Sequence, residues 1–356
     1  MATKNLKCTP TRTEELTDTL TASALYRQAK EIEAKSHATK NGNLHKAKAE
    51  KNDEFWTRLE DIEAELKHYR KYFNGKVVLC NCDDPEWSNF FRYFALNFMF
   101  FGLTKLIATH YEPSGKSYAL VVDRELDVNG DGKIDLKDTV RVELEGNGDF
   151  RSEECMKFID EADVVVSNPP FSLFREYVEL LMQHRKKFII LGNTNAITYK
   201  EVFTHIKNNK MWIGCTHFNT GMYFYVPDTY EYSPTYKFAR VLDGRKVMRV
   251  SSTCWFTNLP HSKRNTPLDL VGNEYSPEKY PKYDNYDAIE VSKVSEIPDG
   301  YKGVMGVPIT FLDKYCPEQF EIVKFRKGDD DKDLSVNGKC PYFRILIKAK
   351  PAKKKK

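Results

Sequence analysis

Apolar residues recur along this chain with two different periods, and each period predicts one kind of element. Phe55, Leu59, Ile62, Leu66 and Tyr69 are spaced by three and four positions, which predicts an amphipathic helix. Later apolar runs are short and predict strands: KVVLC (76–80), KLIATHY (105–111), YALVV (118–122), TVRVEL (139–144), DVVVS (163–167), KFIILG (187–192) and MYFYV (222–226). Helical stretches separate several of these runs, so we expect an α/β fold with a mostly parallel sheet and helices on both faces.

Charge is unevenly distributed along the chain. The last thirteen residues, 344–356, hold seven basic and no acidic side chains, so the rest of the chain has a net charge of −3 although the whole carries +4. A second basic segment, 233–264, has seven Lys or Arg against one acid, Asp243, with aromatic residues interleaved. This mixture is typical of nucleic-acid-binding surfaces; a basic sheet face with core aromatics between its charges is the alternative.

Two features of the composition exclude other classes of protein. No apolar run reaches the roughly 18 residues that a membrane span requires, and the polar N-terminus lacks the apolar segment of a secretory signal. We therefore expect a soluble, cytoplasmic protein. The eight cysteines form no C-x-x-C pair, which predicts reduced thiols and argues against a zinc site.

A polar, proline-rich loop directly follows one of the predicted strands. Pro169 and Pro170 fix their own φ and hold the residues before them extended, so the loop is rigid. They offer carbonyl oxygens without amide hydrogens, and the Asn168 side chain adds a further acceptor. An amino group with two N–H bonds fits such a site, and Phe171 offers a flat face on which a ring can stack. Ligands of such sheets bind beyond the carboxyl ends of the strands, where strand order reverses.

This loop resembles motif IV of the amino-group DNA methyltransferases, and neighbouring segments resemble other motifs of that superfamily. GNGDF (146–150) resembles the motif that binds the adenine of S-adenosylmethionine, and NDEFWT (52–57) resembles motif X, in the order of the gamma arrangement. Three longer segments together resemble the EcoRI-type adenine-specific DNA methyltransferases over roughly residues 50 to 260: NDEFWTRLEDIEAELKHYRKYFNGKVVLCNCDDPEWSNFF, SNPPFSLFREYV and CWFTNL.

The resemblance implies S-adenosylmethionine as cofactor and a Rossmann-like, seven-stranded methyltransferase sheet. It assigns catalysis to Asn168, Pro169, Pro170 and Phe171. It assigns cofactor contacts to a second set: Phe55, Trp56, Thr57, Asp83, Asp84, Glu112, Asp149 and Phe150. It also implies a methyltransferase domain (51–259) followed by a target-recognition region with a basic tail (260–356). The preceding segment is polar and rich in Ala, Lys and Glu, which predicts an N-terminal helical arm (1–50).

The sequence departs from the family pattern after the first predicted strand, where CNCDDPEWSNFF stands in place of a glycine-rich loop. Asp84 is placed to cap the following helix, with Pro85 in the first turn, and Asp83 is placed to receive the cofactor's ammonium group. A capped helix start without a ligand is the alternative for this pair. Glu112 occupies the family's position for an acid on the ribose hydroxyls, and a surface glutamate is the alternative.

A separate motif predicts a structural calcium ion. The segment DVNGDGKIDLKD places Asp127, Asn129, Asp131, Gly132 and Asp138 at positions 1, 3, 5, 6 and 12 of a calcium-binding loop. Aspartate at the last position reaches less far than the usual glutamate and should weaken such a site. A turn-rich connection between strands is the alternative.

Together these observations predict transfer of a methyl group from S-adenosylmethionine to N6 of adenine in a specific double-stranded DNA sequence, with the target base flipped out of the duplex. Methylation of another amino group, in RNA or a protein glutamine, is an alternative because the same kind of loop serves those substrates. A non-catalytic protein that binds nucleic acid or calcium is the rival class. A cognate restriction endonuclease is a candidate partner, and the oligomeric state is not predicted.

Overall fold

The computed structural model of the protein describes residues 56–238 and 240–351. The predicted N-terminal helical arm (1–50), the cofactor-contact residue Phe55 and the last part of the basic tail (352–356) lie outside the described residues.

The first described helix forms where the apolar spacing predicts one. Helix α1 (Leu59–Leu66) continues as a 3₁₀ helix at Lys67–Tyr72 and buries its apolar face. It starts later than predicted because Trp56–Thr57 is strand β1, which pairs antiparallel with strand β9 (Met222–Tyr225).

The largest sheet contains all six apolar runs predicted as strands between residues 76 and 192. Its strands are β2 (Val77–Cys80), β3 (Lys105–Thr109), β4 (Tyr118–Asp123), β5 (Val140–Glu143), β6 (Val164–Ser167), β7 (Lys187–Asn193), β8 (Trp212–Ile213) and β12 (Thr253–Thr257). They lie in the order β5-β4-β3-β2-β6-β7-β12-β8.

The α/β class is confirmed, but this sheet differs from the predicted one. It has eight strands and not seven, and parallel pairings join only the four central strands β3-β2-β6-β7. The outer strands β4, β5, β12 and β8 join it through antiparallel pairings. The connection between β3 and β4, residues 110–117, is too short for the crossover of a dozen or more residues that a parallel pair needs.

Helices cover both faces of this sheet. Helix α1 packs on one face with α2 (Asn89–Leu96) and α3 (Phe98–Phe101). Helices α4 (Glu153–Glu161), α5 (Phe174–Gln183) and α6 (Lys200–Lys207) pack on the other. The central strands are therefore buried on both sides, which explains why each reads as a continuous apolar run.

A smaller sheet lies beside the main one. Its order is β1-β9-β11-β10, with β10 at Val241–Leu242 and β11 at Arg245–Val250. The run MYFYV therefore forms a strand as predicted, but β9 belongs to this second sheet.

The C-terminal part of the chain forms a third sheet. Its strands β13 (Ala288–Glu290), β14 (Val304–Pro308), β15 (Phe320–Phe325) and β16 (Arg344–Ala349) lie in the order β13-β14-β16-β15. The core on the α5–α6 face of the main sheet continues into this sheet, and the rings of Phe203 and Phe325 lie 4.8 Å apart. The predicted domain boundary at residue 259 is thus bridged by shared apolar packing.

Two basic residues of the 233–264 segment serve the fold. The Lys263 ammonium group donates to Asp313 at 2.5 Å and to the Cys215 carbonyl at 3.1 Å. Arg264 is 9 % exposed, and its guanidinium lies 4.0 Å from the centre of the Trp212 ring. Burial lowers the pKa of Arg264 to about 10. These two cations join segments of the protein, and only the earlier part of the basic segment stays available for a ligand.

The described parts of the chain, 56–238 and 240–351, contain no helix with the length and apolar character of a bilayer-spanning segment.

Candidate active site

The site lies where the strand order reverses in the parallel centre of the main sheet. From β2 the chain continues to β3 on one side and later returns to β6 on the other side. The residues that follow β2 and β6, Asn81 and Asn168, therefore stand at neighbouring carboxyl ends. A crevice of this kind is the usual ligand position in an open α/β sheet.

The four predicted catalytic residues form one short loop, Asn168–Phe171, which we term the acceptor loop. Pro169 is buried, Pro170 is exposed, and Asn168 and Phe171 are partly buried. Pro170 is extended, with φ −53° and ψ 129°, and its carbonyl accepts from Leu173 N at 2.9 Å. A 3₁₀ turn at Phe171–Leu173 then leads into α5. The loop is thus braced between a buried strand and a helix, and its catalytic role stays a prediction.

Residues 81–88 contain the predicted cofactor contacts Asp83 and Asp84, and we term them the cofactor loop. This loop has no glycine, but one of its residues adopts a backbone conformation that is typical of glycine. Cys82 takes the left-handed conformation, with φ 66°, that glycine usually supplies. Asp83 is partly buried in the turn that follows. The prediction that Asp84 caps the next helix is wrong: α2 begins at Asn89 and is capped by Ser88, whose hydroxyl accepts from Phe90 N at 3.2 Å.

Asp84 instead stabilises the turn inside the cofactor loop. Its carboxylate accepts from Glu86 N at 3.0 Å, and its carbonyl accepts from Trp87 N at 2.9 Å. The Tyr118 hydroxyl lies 3.4 Å from the same carboxylate. The carboxylate therefore faces the end of the neighbouring strands while it holds the loop.

The structure brings Glu112 next to the GNGDF segment. Glu112 N donates to the Asn147 carbonyl at 2.8 Å, and its carboxylate accepts from the Ser114 hydroxyl at 2.9 Å. Gly148 has φ 78°, and a Cβ there would lie 1.8 Å from the His110 carbonyl oxygen. Only glycine allows the backbone at position 148 to approach His110 so closely. This approach places Glu112 and Asp149, the residue after Gly148, at one rim of the site.

Asp149 and Phe150, the last two residues of GNGDF, already contact other side chains of the protein. Asp149 accepts two side-chain hydrogen bonds from Arg151, at 2.7 and 2.9 Å. These bonds lower the pKa of Asp149, partly opposed by burial. Phe150 is 6 % exposed and meets the Tyr177 ring edge-on at 5.1 Å. Asp149 thus remains ionised and able to accept further donors, whereas Phe150 is part of the core. Their predicted contacts with the cofactor stay predictions.

The predicted motif X residues Trp56 and Thr57 lie over the cofactor loop. The Trp56 ring is 6.3 Å from the Trp87 ring, and Asn89 Nδ2 donates to the Thr57 carbonyl at 2.7 Å. Trp56 Nε1 and Thr57 Oγ1 are buried and have no hydrogen-bond partner among the described residues. Buried polar atoms of this kind are normally satisfied, so these two fit a polar ligand between β1 and the cofactor loop.

The predicted calcium site is not supported. The buried Asp138 carboxylate accepts from Val128 N and Asp135 N, both at 2.9 Å. Asp127 likewise accepts from Gly130 N at 2.7 Å and Gly132 N at 2.8 Å. Over residues 56–238 and 240–351, no group of three or more His, Cys, Asp or Glu side chains is placed to hold a metal ion. The carboxylates stabilise a turn-rich connection, because their oxygens point to the loop's own amides.

Sequence reasoning missed a buried network beneath the acceptor loop. Ser167 and Tyr177, on either side of the loop in sequence, both donate to Asn81. The sequence signal that could have pointed to Asn81 is its position directly after the strand β2, which matches the position of Asn168 directly after β6.

The sequence of this chain matches a known protein family and several curated proteins. A profile of the family described as adenine-specific methyltransferase EcoRI matches residues 43–350. The type II methyltransferase M.EcoRI of Escherichia coli is 51 % identical over 329 residues, which are 88 % of this chain and 98 % of that protein. M.MpnI of Mycoplasma pneumoniae is 39 % identical over 86 % of this chain and 97 % of its own length. M.MgeORF184P of Mycoplasma genitalium is 37 % identical over 86 % and 98 %. The suspected resemblance is confirmed, and this chain belongs to the EcoRI family of adenine-specific methyltransferases.

Proposed function

We propose that this protein transfers a methyl group from S-adenosylmethionine to N6 of adenine within a specific double-stranded DNA sequence. The family is adenine-specific, and three relatives that match nearly their full lengths are type II methyltransferases. The observation that carries the proposal is the rigid acceptor loop Asn168–Phe171 at the carboxyl end of β6, beside the end of β2.

Family membership implies S-adenosylmethionine as the methyl donor, and the residues present fit it. Trp56 Nε1 and Thr57 Oγ1 are buried polar atoms that a ligand can satisfy. Asp83 would receive the ammonium group, Glu112 the ribose hydroxyls and Asp149 the adenine amino group. The bound cofactor supplies an electrophilic methyl group on a sulfonium sulfur.

The acceptor loop would orient the target base. The Asn168 side-chain oxygen and the Pro169 carbonyl accept the two amino hydrogens of a flipped-out adenine, which localises the lone pair on N6. Phe171, partly buried at the start of its 3₁₀ turn, supports the face of the base. Such positioning can supply about 7–11 kcal/mol of a barrier, so rigid loops are the main catalytic device.

Seven of the eight strands in the main sheet, from β4 to β8 in sheet order, would form the methyltransferase core. Strand β5 then extends its edge. The domain division is retained in this proposal: residues 51–259 carry the chemistry and residues 260–356 take part in target recognition.

An exposed basic and aromatic surface lies at the edge of this site. We term residues 227–250, with hairpin β10–β11, the basic hairpin. Phe238 is 47 % exposed, and the Arg249 guanidinium lies 4.5 Å from its ring centre. The hairpin leads into Ser252, whose carbonyl accepts from Thr194 N at 2.6 Å, just beyond β7. Cations beside exposed aromatic rings fit the backbone and bases of DNA, so this surface would contact the duplex around the flipped base.

The proposal is tested by identifying the methylated product. The protein is incubated with duplex DNA and a methyl-labelled cofactor, and the DNA is digested to nucleosides. Label on N6-methyldeoxyadenosine is expected, and the product should resist an endonuclease that cuts the same sequence. Label on another base, or label only in parallel incubations with RNA or protein, would overturn the proposal.

Substitution Asn168→Ala separates catalysis from binding. It should lower methyl transfer by about a hundredfold or more, because a preorganised acceptor is lost, while cofactor affinity is retained. Asn74→Ala is the matched control, since Asn74 is an exposed asparagine before the amino end of β2. Near wild-type turnover in Asn168→Ala would contradict the assigned role.

A further inference from the structure

Asn81 holds both ends of the acceptor loop. Strands β2 and β6 are adjacent and parallel, with Leu79 paired to Val165, so Asn81 lies next to Ser167. The Ser167 hydroxyl donates to the main-chain carbonyl of Asn81. The Tyr177 hydroxyl, from α5 beyond the loop, donates to the side-chain oxygen of Asn81. One residue of the cofactor loop therefore receives a hydrogen bond from each side of the acceptor loop.

These contacts are inaccessible to solvent. Asn81 is 2 % exposed, and Ser167 and Tyr177 are fully buried. The Tyr177 ring also meets Phe150 edge-on at 5.1 Å, so the same side chain contacts the end of the GNGDF segment. Burial raises the pKa of Tyr177 well above its ordinary value, which keeps its hydroxyl protonated as a donor. Buried, satisfied networks of this kind specify one arrangement of the segments they join.

Resting on the proposed function, we infer that Asn81 and Tyr177 are positioning residues that hold the acceptor loop and the cofactor loop in register for methyl transfer. Neither side chain is required to touch the reacting atoms. The acceptor nitrogen and the methyl group are held by different loops, and a misplacement of about 1 Å between reacting groups can cost about a hundredfold in rate. Asn81 is the residue at which the two loops meet, so it defines their relative position.

The test removes one oxygen atom from the network. Tyr177→Phe keeps the ring and its contact with Phe150 but leaves the side-chain oxygen of Asn81 without its donor. The single-turnover rate of adenine methylation should fall by about tenfold or more. The dissociation constants for cofactor and DNA should each change by less than about threefold, because the binding groups remain in place.

Tyr69→Phe is the matched control for a purely structural effect. Tyr69 is also fully buried, but in the core on the other face of the main sheet, where its hydroxyl donates to the buried carboxylate of Glu65 at 2.8 Å. Loss of the Tyr69 hydroxyl removes one hydrogen bond from the Glu65 carboxylate, which still accepts from Cys215 N at 2.7 Å. Loss of either tyrosine hydroxyl should cost about 1–3 kcal/mol of stability. Assayed well below the unfolding temperature, Tyr69→Phe should keep the wild-type methylation rate.

Ser167→Ala removes the other hydrogen bond to Asn81 and serves if Tyr177→Phe does not fold. Since both bonds fix the same residue, their effects on rate should be smaller in combination than the product of the single effects. An active wild type with unchanged rates in both variants would overturn this inference alone, as would an equal loss in Tyr69→Phe. A wild type that methylates no adenine would instead refute the proposed function.

Discussion

His261, at the start of the predicted target-recognition region (260–356), is buried and uncharged. It is 6 % exposed, and its Nε2 lies 3.0 Å from the Ile213 carbonyl, so Nε2 carries the proton. Its Nδ1 is buried without a hydrogen-bond partner among the described residues. Burial lowers the pKa of His261 to about 4, and the nearby cations Arg264 and Lys263 act in the same direction.

This depressed pKa predicts that the protein loses stability in mild acid. Between pH 6.5, the ordinary value for histidine, and about 4, the unfolded chain binds a proton at this site that the folded protein does not. The unfolded state is therefore favoured as pH falls through this window. At about 1.4 kcal/mol per pH unit, the loss approaches about 3 kcal/mol below pH 4 and is about 2 kcal/mol at pH 5.

Urea unfolding of the wild type and of His261→Gln measures this term. Glutamine keeps an N–H near the Ile213 carbonyl but does not titrate. Between about pH 7.5 and pH 5, the wild type should lose about 2 kcal/mol more unfolding free energy than the variant. The other histidines are present in both proteins, so their titration cancels. An equal loss in the two proteins would refute the reasoning.

Two further predictions concern ligands. Asp149→Ala should weaken cofactor binding by about tenfold, because a charge-assisted hydrogen bond is lost; unchanged affinity by calorimetric titration would show that Asp149 serves only its pair with Arg151. Lys237→Ala, on the exposed part of the basic hairpin, should weaken DNA binding and reduce its salt slope by about 1 without changing the methylated sequence. Binding titrations at several salt concentrations and mapping of methylated adenines check this, and an altered target sequence would contradict a phosphate contact.

The central sheet could be predicted because its signal is local. Strands buried on both faces are continuous apolar runs, and β2, β6 and β7 lie where those runs do. Trp56 and Thr57 show the limit: they lie within the helix predicted from Phe55 onward, yet they pair with Tyr225 and Phe224. That choice depends on partners about 170 positions away, which no local pattern contains.

The site divides in the same way. The acceptor loop is visible in sequence because two prolines and an asparagine after a strand restrict the chain locally. The left-handed conformation of Cys82 could not be predicted, because glycine is the residue whose presence in a sequence usually indicates that conformation. The bond from Tyr177 to Asn81 spans 96 positions and leaves no periodic signal. His261 and Arg264 lie in the basic segment 233–264 but are buried, and residue type alone does not show which polar side chains of such a segment are buried.

The apolar packing between Phe203 and Phe325 bears on how target specificity can be re-engineered. A recognition module joined by a solvated linker could be cut off and grafted onto another catalytic domain. Here a chimera made at residue 259 would replace a large part of a hydrophobic core, and the new part would have to match α6 in shape before any base was read. New specificities on this scaffold are therefore better sought by diversifying exposed loops, such as the one around Val271 and Tyr275, than by exchanging whole segments.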